Sequence, residues 1–210
     1  MASAEQALIS LDREKSRKGR LLLAGVDEAG RGCWAGPVVA AAVVLPEQWC
    51  PVGLDDSKRL TPRRRENIYE EIRASALAWG ACAVSCLEID RTDILRATLL
   101  GMTRAVARLE PAPDLVLVDG NRAPDLPYQV ETLVGGDGRS ACIAAASVVA
   151  KVLRDRIMVA WDRHFPAYGF ARHKGYGATA HREAIARHGP CPQHRLSFRP
   201  LATLGQQTLF

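Results

Sequence analysis

No apolar run in this 210-residue chain reaches the ~18 residues that a membrane-spanning helix needs. The first 20 residues, Met1 to Arg20, are polar and charged, with no apolar stretch of signal-peptide length. These two absences predict a soluble protein that stays in the cytoplasm. The six cysteines, Cys33, Cys50, Cys82, Cys86, Cys142 and Cys191, are scattered over a chain with core enough to do without disulfides, and are expected as small apolar core residues. Cys82 and Cys86 suggest half of a metal site, but no second Cys or His pair follows to complete it. His173, His181, His188 and His194 also fit no standard metal spacing, and are expected on the surface or facing phosphate. Repeats and low-complexity segments are missing too.

What is present fits one globular domain. Hydrophobic residues make up 48% and charged residues 24%, ordinary shares that allow a sizeable core. A net charge of +5 leans toward a polyanionic partner. Residues 1–20 read as a leader, partly helical or disordered; 21–200 read as the domain and 201–210 as a tail.

Along the chain, short apolar runs alternate with helical spacing. Leu21–Val26 and Pro37–Leu45 read as strands, separated by the Gly-rich loop Ala29-Gly30-Arg31-Gly32-Cys33-Trp34-Ala35-Gly36. Thr61-Pro62 opens a helix, with a capping hydroxyl before a proline at the first helical position. Ala78–Cys86 is a third strand. From Thr92, Leu95, Leu99, Met102, Val106 and Leu109 recur at helical steps, predicting an amphipathic helix. Leu115–Val118 is another buried strand. Ile143–Trp161 and Ala180–Arg187 read as helices. Strands alternating with helices place the chain in the α/β class.

Three acidic sites follow strands or turns: Asp27 with Glu28, Asp119, and Asp137 among glycines. A carboxylate just past a buried strand is held rigidly where α/β proteins usually place their sites. Several such groups together repel one another unless a hard cation such as Mg²⁺ sits among them. Adjacent strand residues point to opposite faces, so Asp27 and Glu28 reach one site only if the strand breaks at Glu28. Taken singly, Asp119-Gly120 and Asp137 also suit ordinary turns. Asp155 is a rival for the fourth acid, but lies inside a predicted helix and is expected to pair with a neighbouring arginine. Arg63-Arg64-Arg65 reads as a solvated helix face.

Gly25-Val26-Asp27-Glu28-Ala29-Gly30-Arg31-Gly32 followed by Ala35-Gly36-Pro37-Val38-Val39 resembles the signature of type 2 ribonucleases H. Asp56-Ser57-Lys58-Arg59-Leu60, Val118-Asp119-Gly120-Asn121, Gly136-Asp137, Ala144-Ala145-Ala146-Ser147, Arg154-Asp155 and His173-Lys174-Gly175-Tyr176 extend it in the family's order. The resemblance implies a ribonuclease H-like mixed sheet flanked by helices, with a C-terminal helical extension. It implies that Asp27, Glu28, Asp119 and Asp137 are catalytic and bind Mg²⁺ or Mn²⁺. It also implies that Gly30, Arg31 and Gly32 sense the ribonucleotide 2′-hydroxyl through backbone groups. Tyr176 would then pack against the sugar, with Lys58 and Ser147 near the nucleic-acid backbone. The expected partners are RNA–DNA hybrid and ribonucleotide-containing duplex DNA, cut by a monomeric enzyme. Cys33-Trp34 stands where that family usually has proline and leucine, and Gly138 where a small side chain is common, which puts loop rigidity in doubt.

Two other classes compete. A non-catalytic nucleic-acid-binding module explains the positive charge but not four acids at strand ends. A nucleotide-binding protein lacks the Lys-Ser/Thr pair of a phosphate loop. The type 3 ribonucleases H carry an additional N-terminal domain, for which 1–20 is too short. Gln206-Gln207-Thr208-Leu209-Phe210 resembles the short peptide that docks on the bacterial DNA sliding clamp, with Gln206, Leu209 and Phe210 as anchors.

Overall fold

The computed structural model describes residues 4–18, 20–55, 57 and 59–204. Five strands form one sheet: β1 (Leu23–Ala29), β2 (Val38–Val44), β3 (Ala78–Val84), β4 (Leu115–Asp119) and β5 (Gln129–Leu133). Their order is β3-β2-β1-β4-β5. The β1–β2 and β2–β3 pairs are antiparallel, whereas β1–β4 and β4–β5 are parallel. The sheet is therefore mixed, as the α/β reading and the family resemblance implied.

β2 is buried along its whole length, because helices cover both faces of the sheet. Ala41 and Val43 join Leu23, Leu115 and Leu117 on one face, under α5 (Ala141–His164). Ala40, Ala42 and Val44 join Ala24, Val26, Val116 and Val118 on the other, under α4 (Ile94–Val106). This is the two-residue period of a strand read out in two cores.

The first ten residues of α5 are buried all round, since the helix runs through the middle of the protein. Small side chains there let it lie close to β1. At Gly25 a Cβ would sit 2.1 Å from the carbonyl carbon of Cys142, so only glycine admits the first turn of α5. On α4 the expected stripe is buried at Met102, Val106 and Leu109 but not at its first two leucines. Ala97, Gly101, Met102, Ala105 and Val106 face the sheet, while Leu95 and Leu99 are half-buried. A Cβ at Gly101 would lie 3.2 Å from Val84, so close approach favours small residues over leucine at the contact.

Residues 4–15 form helix α1 (Ala4–Lys15) rather than a disordered segment. Leu8 is buried in the α5-side core, the Cys142 amide donates to Asp12 Oδ2 at 2.9 Å, and Lys15 pairs with Glu131 on β5. Helix α2 (Pro62–Ser75) begins where Thr61-Pro62 predicts, with Thr61 Oγ1 accepting from the Arg64 amide at 3.3 Å. Helix α3 (Cys86–Arg91) was not foreseen, although Ser85 and Glu88 form a complete capping box. The C-terminal extension comprises α6 (Phe170–His173), α7 (Thr179–His188) and α8 (Leu201–Leu204). Its own core of Tyr168, Phe170, Ile185 and Leu201 closes on Ala35 and on Met158 of α5. All six cysteines are free; five are buried and Cys50 is half-buried. No helix among the described residues is long and apolar enough to cross a membrane.

Candidate active site

β1 and β4 run parallel and side by side, paired as far as Val26 and Val118. Asp27 and Asp119 are the next residue on each, so both carboxylates leave the same face at the same height. β1 does not break at Glu28. It continues to Ala29, with Glu28 opposite Ala40 and Ala29 opposite Val39 on β2. Pairing with β2 supplies the ladder there after β4 has ended, and Gly30 (φ +97°) then turns the chain. Glu28 therefore leaves from the face opposite Asp27. The Glu28 amide donates to Asp27 Oδ1 at 2.7 Å, and Arg31 Nη1 lies 3.3 Å from Glu28 Oε1.

Asp137 is carried by a single 3-10 turn (Gly136–Gly138) just before α5 and is buried. The same turn reaches β4, where the Gly136 amide donates to Asp119 Oδ1 at 2.7 Å. Asp27 is only 6% exposed. Burial first, then the charges of Glu28, Asp119 and Asp137, push its carboxyl well above the usual carboxylate range. Asp27, Asp119 and Asp137 thus gather at the end of the central strands, and the charge of Glu28 reaches Asp27 from the next strand position. They offer oxygen donors alone, the set that suits a hard divalent cation, and such a charge would relieve the repulsion at Asp27. As they stand, no three His, Cys, Asp or Glu side chains among the described residues form a ready coordination cluster.

The Gly-rich loop follows directly. Arg195 lies fully buried beneath it, donating from Nη2 to Gly30 O (2.7 Å), from Nη1 to Arg31 O (2.8 Å) and from Nε to Gly36 O (2.9 Å). Burial lowers this guanidinium to about 10, which leaves it charged at neutral pH. Arg154, equally buried, donates to the carbonyls of Pro37, Ala35 and Lys174. The amides of Trp34 and Ala35 both donate to Gly175 O, which stitches the loop to the segment carrying Tyr176. Tyr176 is 46% exposed, lies near the buried Cys33 side chain, and has Lys151 Nζ 5.8 Å from its ring centre. Its backbone carbonyl faces His181 Nδ1 at 2.9 Å.

A family model described as Ribonuclease HII matches residues 24–201. The chain belongs to this family. Ribonuclease HII of Syntrophotalea carbinolica is 52% identical over 197 residues, covering 94% of this chain and 94% of that protein. Among solved structures, ribonuclease H2 of Pyrococcus horikoshii superposes with TM-score 0.75 at 24% identity, covering 88% of this chain and 97% of that one. Ribonuclease HII of Archaeoglobus fulgidus, solved in a complex with PCNA, superposes at 0.70 and 28% identity, covering 85% of this chain and 96% of that one. Family membership makes the chain a ribonuclease H, a hydrolytic endoribonuclease.

Against that background, the structure gathers Asp27, Asp119 and Asp137, keeps Glu28 in the β1 ladder next to Asp27, and joins the Gly30–Gly32 loop to the segment of Tyr176. It does not put Ser147 on the surface: the residue is 2% exposed on the enclosed part of α5. Lys58, Gln206, Leu209 and Phe210 lie outside the described residues. Asp155 is paired, with Lys151 Nζ at 2.7 Å and Arg65 Nη1 at 3.6 Å. Arg65 is not part of a solvated face; it is buried and donates to the carbonyls of Ser57 and Leu60. His181 and His194 are likewise buried rather than superficial, and bond to each other through Nε2 at 3.0 Å. The buried arginines and this histidine pair are the site-building residues that sequence reasoning missed.

Proposed function

We propose that this protein is a divalent-metal-dependent endonuclease that hydrolyses the RNA strand of RNA–DNA hybrids and cuts 5′ to ribonucleotides embedded in duplex DNA. The observation that carries this reading is that the charges of Glu28, Asp119 and Asp137 all bear on Asp27 at the end of β1 and β4, beside a loop exposed at Arg31 and Gly32. Asp27, Glu28, Asp119 and Asp137 would hold Mg²⁺ or Mn²⁺. When bound, a pair of such ions would supply the chemistry of an activated water and a stabilised leaving 3′-oxygen, giving 5′-phosphate and 3′-hydroxyl ends. The chain's own part is positional. The Gly30–Gly32 backbone approaches the 2′-hydroxyl, the one local group that separates RNA from DNA. Tyr176, exposed next to this loop, packs on the sugar. Lys58 and Ser147 are assigned to the nucleic-acid backbone, Ser147 only after local opening.

The protein acts as a monomer in the cytoplasm, and its C-terminal Gln206, Leu209 and Phe210 dock on the DNA sliding clamp. Support for a docking partner comes from the A. fulgidus relative, solved with PCNA. The central test is cleavage of duplex DNA holding one ribonucleotide, with Mg²⁺, with Mn²⁺ and with chelator. The expected cut is 5′ to the ribonucleotide, lost with chelator and in Asp119→Asn while duplex binding survives. Near wild-type cleavage by Asp119→Asn would refute the site and favour a binding role for these acids.

A further inference from the structure

We infer that Arg195 is a positioning residue for ribonucleotide selection, fixing the direction in which the Gly30–Gly32 amides point. The inference rests on the reading that this loop meets the 2′-hydroxyl. A trans peptide is planar, and its C=O and N–H point in opposite directions. Gly30 O is aimed at Arg195 Nη2 and Arg31 O at Nη1. The next amide in each peptide, that of Arg31 and that of Gly32, therefore points away from Arg195. Both residues are exposed, and among the described residues neither amide donates to a protein acceptor. A Cβ at Gly32 would meet no atom within 4 Å, so the space in front of the loop is open. The guanidinium, helped at Gly30 O by the Cys33 amide, thus keeps two amides turned outward, toward an approaching hydroxyl oxygen.

A stability role alone explains the residue poorly. A buried cation is costly, and an apolar side chain of similar size generally packs as well or better. Arg195 is met on its three donor nitrogens by main-chain carbonyls of residues 30, 31 and 36. Only a planar fork with several donors holds these carbonyls together; a lysine is a point charge and cannot. Arg154 bonds no carbonyl of residues 30–32, and the Cys33 amide shares Gly30 O at 3.3 Å, so the contact that Arg195 alone makes is the one to Arg31 O, which turns the Gly32 amide outward. The segment carrying Arg195 is anchored from outside. Its own amide donates to Trp34 O, and Asp90 accepts from the amides of Leu196 (2.8 Å) and Ser197 (3.0 Å). The C-terminal extension thus reaches back to set the specificity loop.

The test measures binding in an Asp119→Asn full-length background, so that cleavage does not intervene. The dissociation constant is compared for two duplexes of one sequence, one all DNA and one with a single ribonucleotide. Arg195→Lys should shrink the preference for the ribonucleotide about tenfold, the scale of one well-made hydrogen bond, with all-DNA affinity unchanged. Asp90→Ala, a change outside the core, should shrink it about threefold by loosening the same segment, and decides the matter if Arg195→Lys does not fold. An unchanged preference in folded variants, or an equal loss on both duplexes, would overturn the inference. If the Asp119→Asn parent itself shows no ribonucleotide preference, the loop's proposed role fails and this inference falls with it.

Discussion

Adding one methyl group to the Gly-rich loop should do opposite things at its two glycines. Gly30 has φ +97°, a region that costs a residue with a side chain about 1–3 kcal/mol. Its Cβ would also lie 1.9 Å from Arg154 Nε and 2.5 Å from Arg154 Cδ. Arg154 is fully buried and pinned by three carbonyls, so it yields only by losing at least one charged hydrogen bond, about 1.5–3 kcal/mol. The two costs together come to roughly 3–6 kcal/mol for Gly30→Ala. At about 2–4 °C per kcal/mol for a domain of this size, Tm should fall by roughly 6–24 °C. Gly32 has no positive φ, and a Cβ there meets nothing within 4 Å. Gly32→Ala should leave Tm unchanged or slightly raised, since it restricts the unfolded chain. The new methyl would occupy the space where the sugar is proposed to sit. Cleavage at a single ribonucleotide should then drop about tenfold in kcat/KM, the scale of one lost hydrogen bond. Thermal melts and cleavage of a one-ribonucleotide duplex read both effects. Wild-type melting of Gly30→Ala would refute the packing argument, and full activity in Gly32→Ala would refute close approach of the loop to substrate.

Two further outcomes follow from the site and the tail. Tyr176→Ala should weaken single-ribonucleotide cleavage by about 1–3 kcal/mol, the scale of a lost base–aromatic stack, with melting little changed; equal kcat/KM would remove the assigned role. Deleting Leu209 and Phe210 should abolish clamp binding in a pull-down or titration and leave cleavage of short duplexes intact, whereas no binding by the intact chain would end the idea.

The sequence announced its sheet where burial is complete and fell short where it is partial. β2 and β4 are apolar runs and were read within a few residues, but β5, Gln129–Leu133, has no fully buried residue and carries no run to read. The Ser85/Glu88 capping box was visible as residue types and passed over, because α3 spans only six residues. The four acids were legible as positions after strands and glycines. Their convergence depends on the β1–β4 pairing, which no local pattern encodes. Arg195, Arg154 and Arg65 were invisible for a different reason. An arginine looks solvated in sequence, and only the fold reveals that main-chain carbonyls surround each of them. The same holds for His181 and His194, whose partners come from segments 5 and 13 residues away in sequence.

That histidine pair carries the last prediction. His181 Nδ1 faces the carbonyl of Tyr176 at 2.9 Å, so the proton of neutral His181 sits on Nδ1 and its Nε2 is bare. The Cys191 amide donates to His194 Nδ1 at 2.9 Å, so the His194 proton sits on Nε2 and bridges to His181 across 3.0 Å. Each ring is satisfied when neutral. A further proton on His181 Nε2 would set N–H against N–H, in a ring closed to water and stacked on His173 at 4.4 Å. Burial, the larger effect, pushes His181 down to about 4, and His194 is lowered for the same first reason. In the unfolded chain both titrate near the ordinary histidine value of about 6.5. Between that value and about 4 the unfolded chain binds more protons than the folded one. The pair's contribution is therefore complete above about pH 6.5 and is lost as pH falls toward 4. For His181 the loss amounts to roughly 3 kcal/mol, or about 6–12 °C in Tm, most of it by pH 4.5. His181→Asn should be less stable at pH 7 yet lose less on acidification, a change of slope that simple destabilisation does not produce. Parallel Tm-against-pH curves for wild type and variant between pH 7 and 4.5 would show that the buried pair does not titrate as argued.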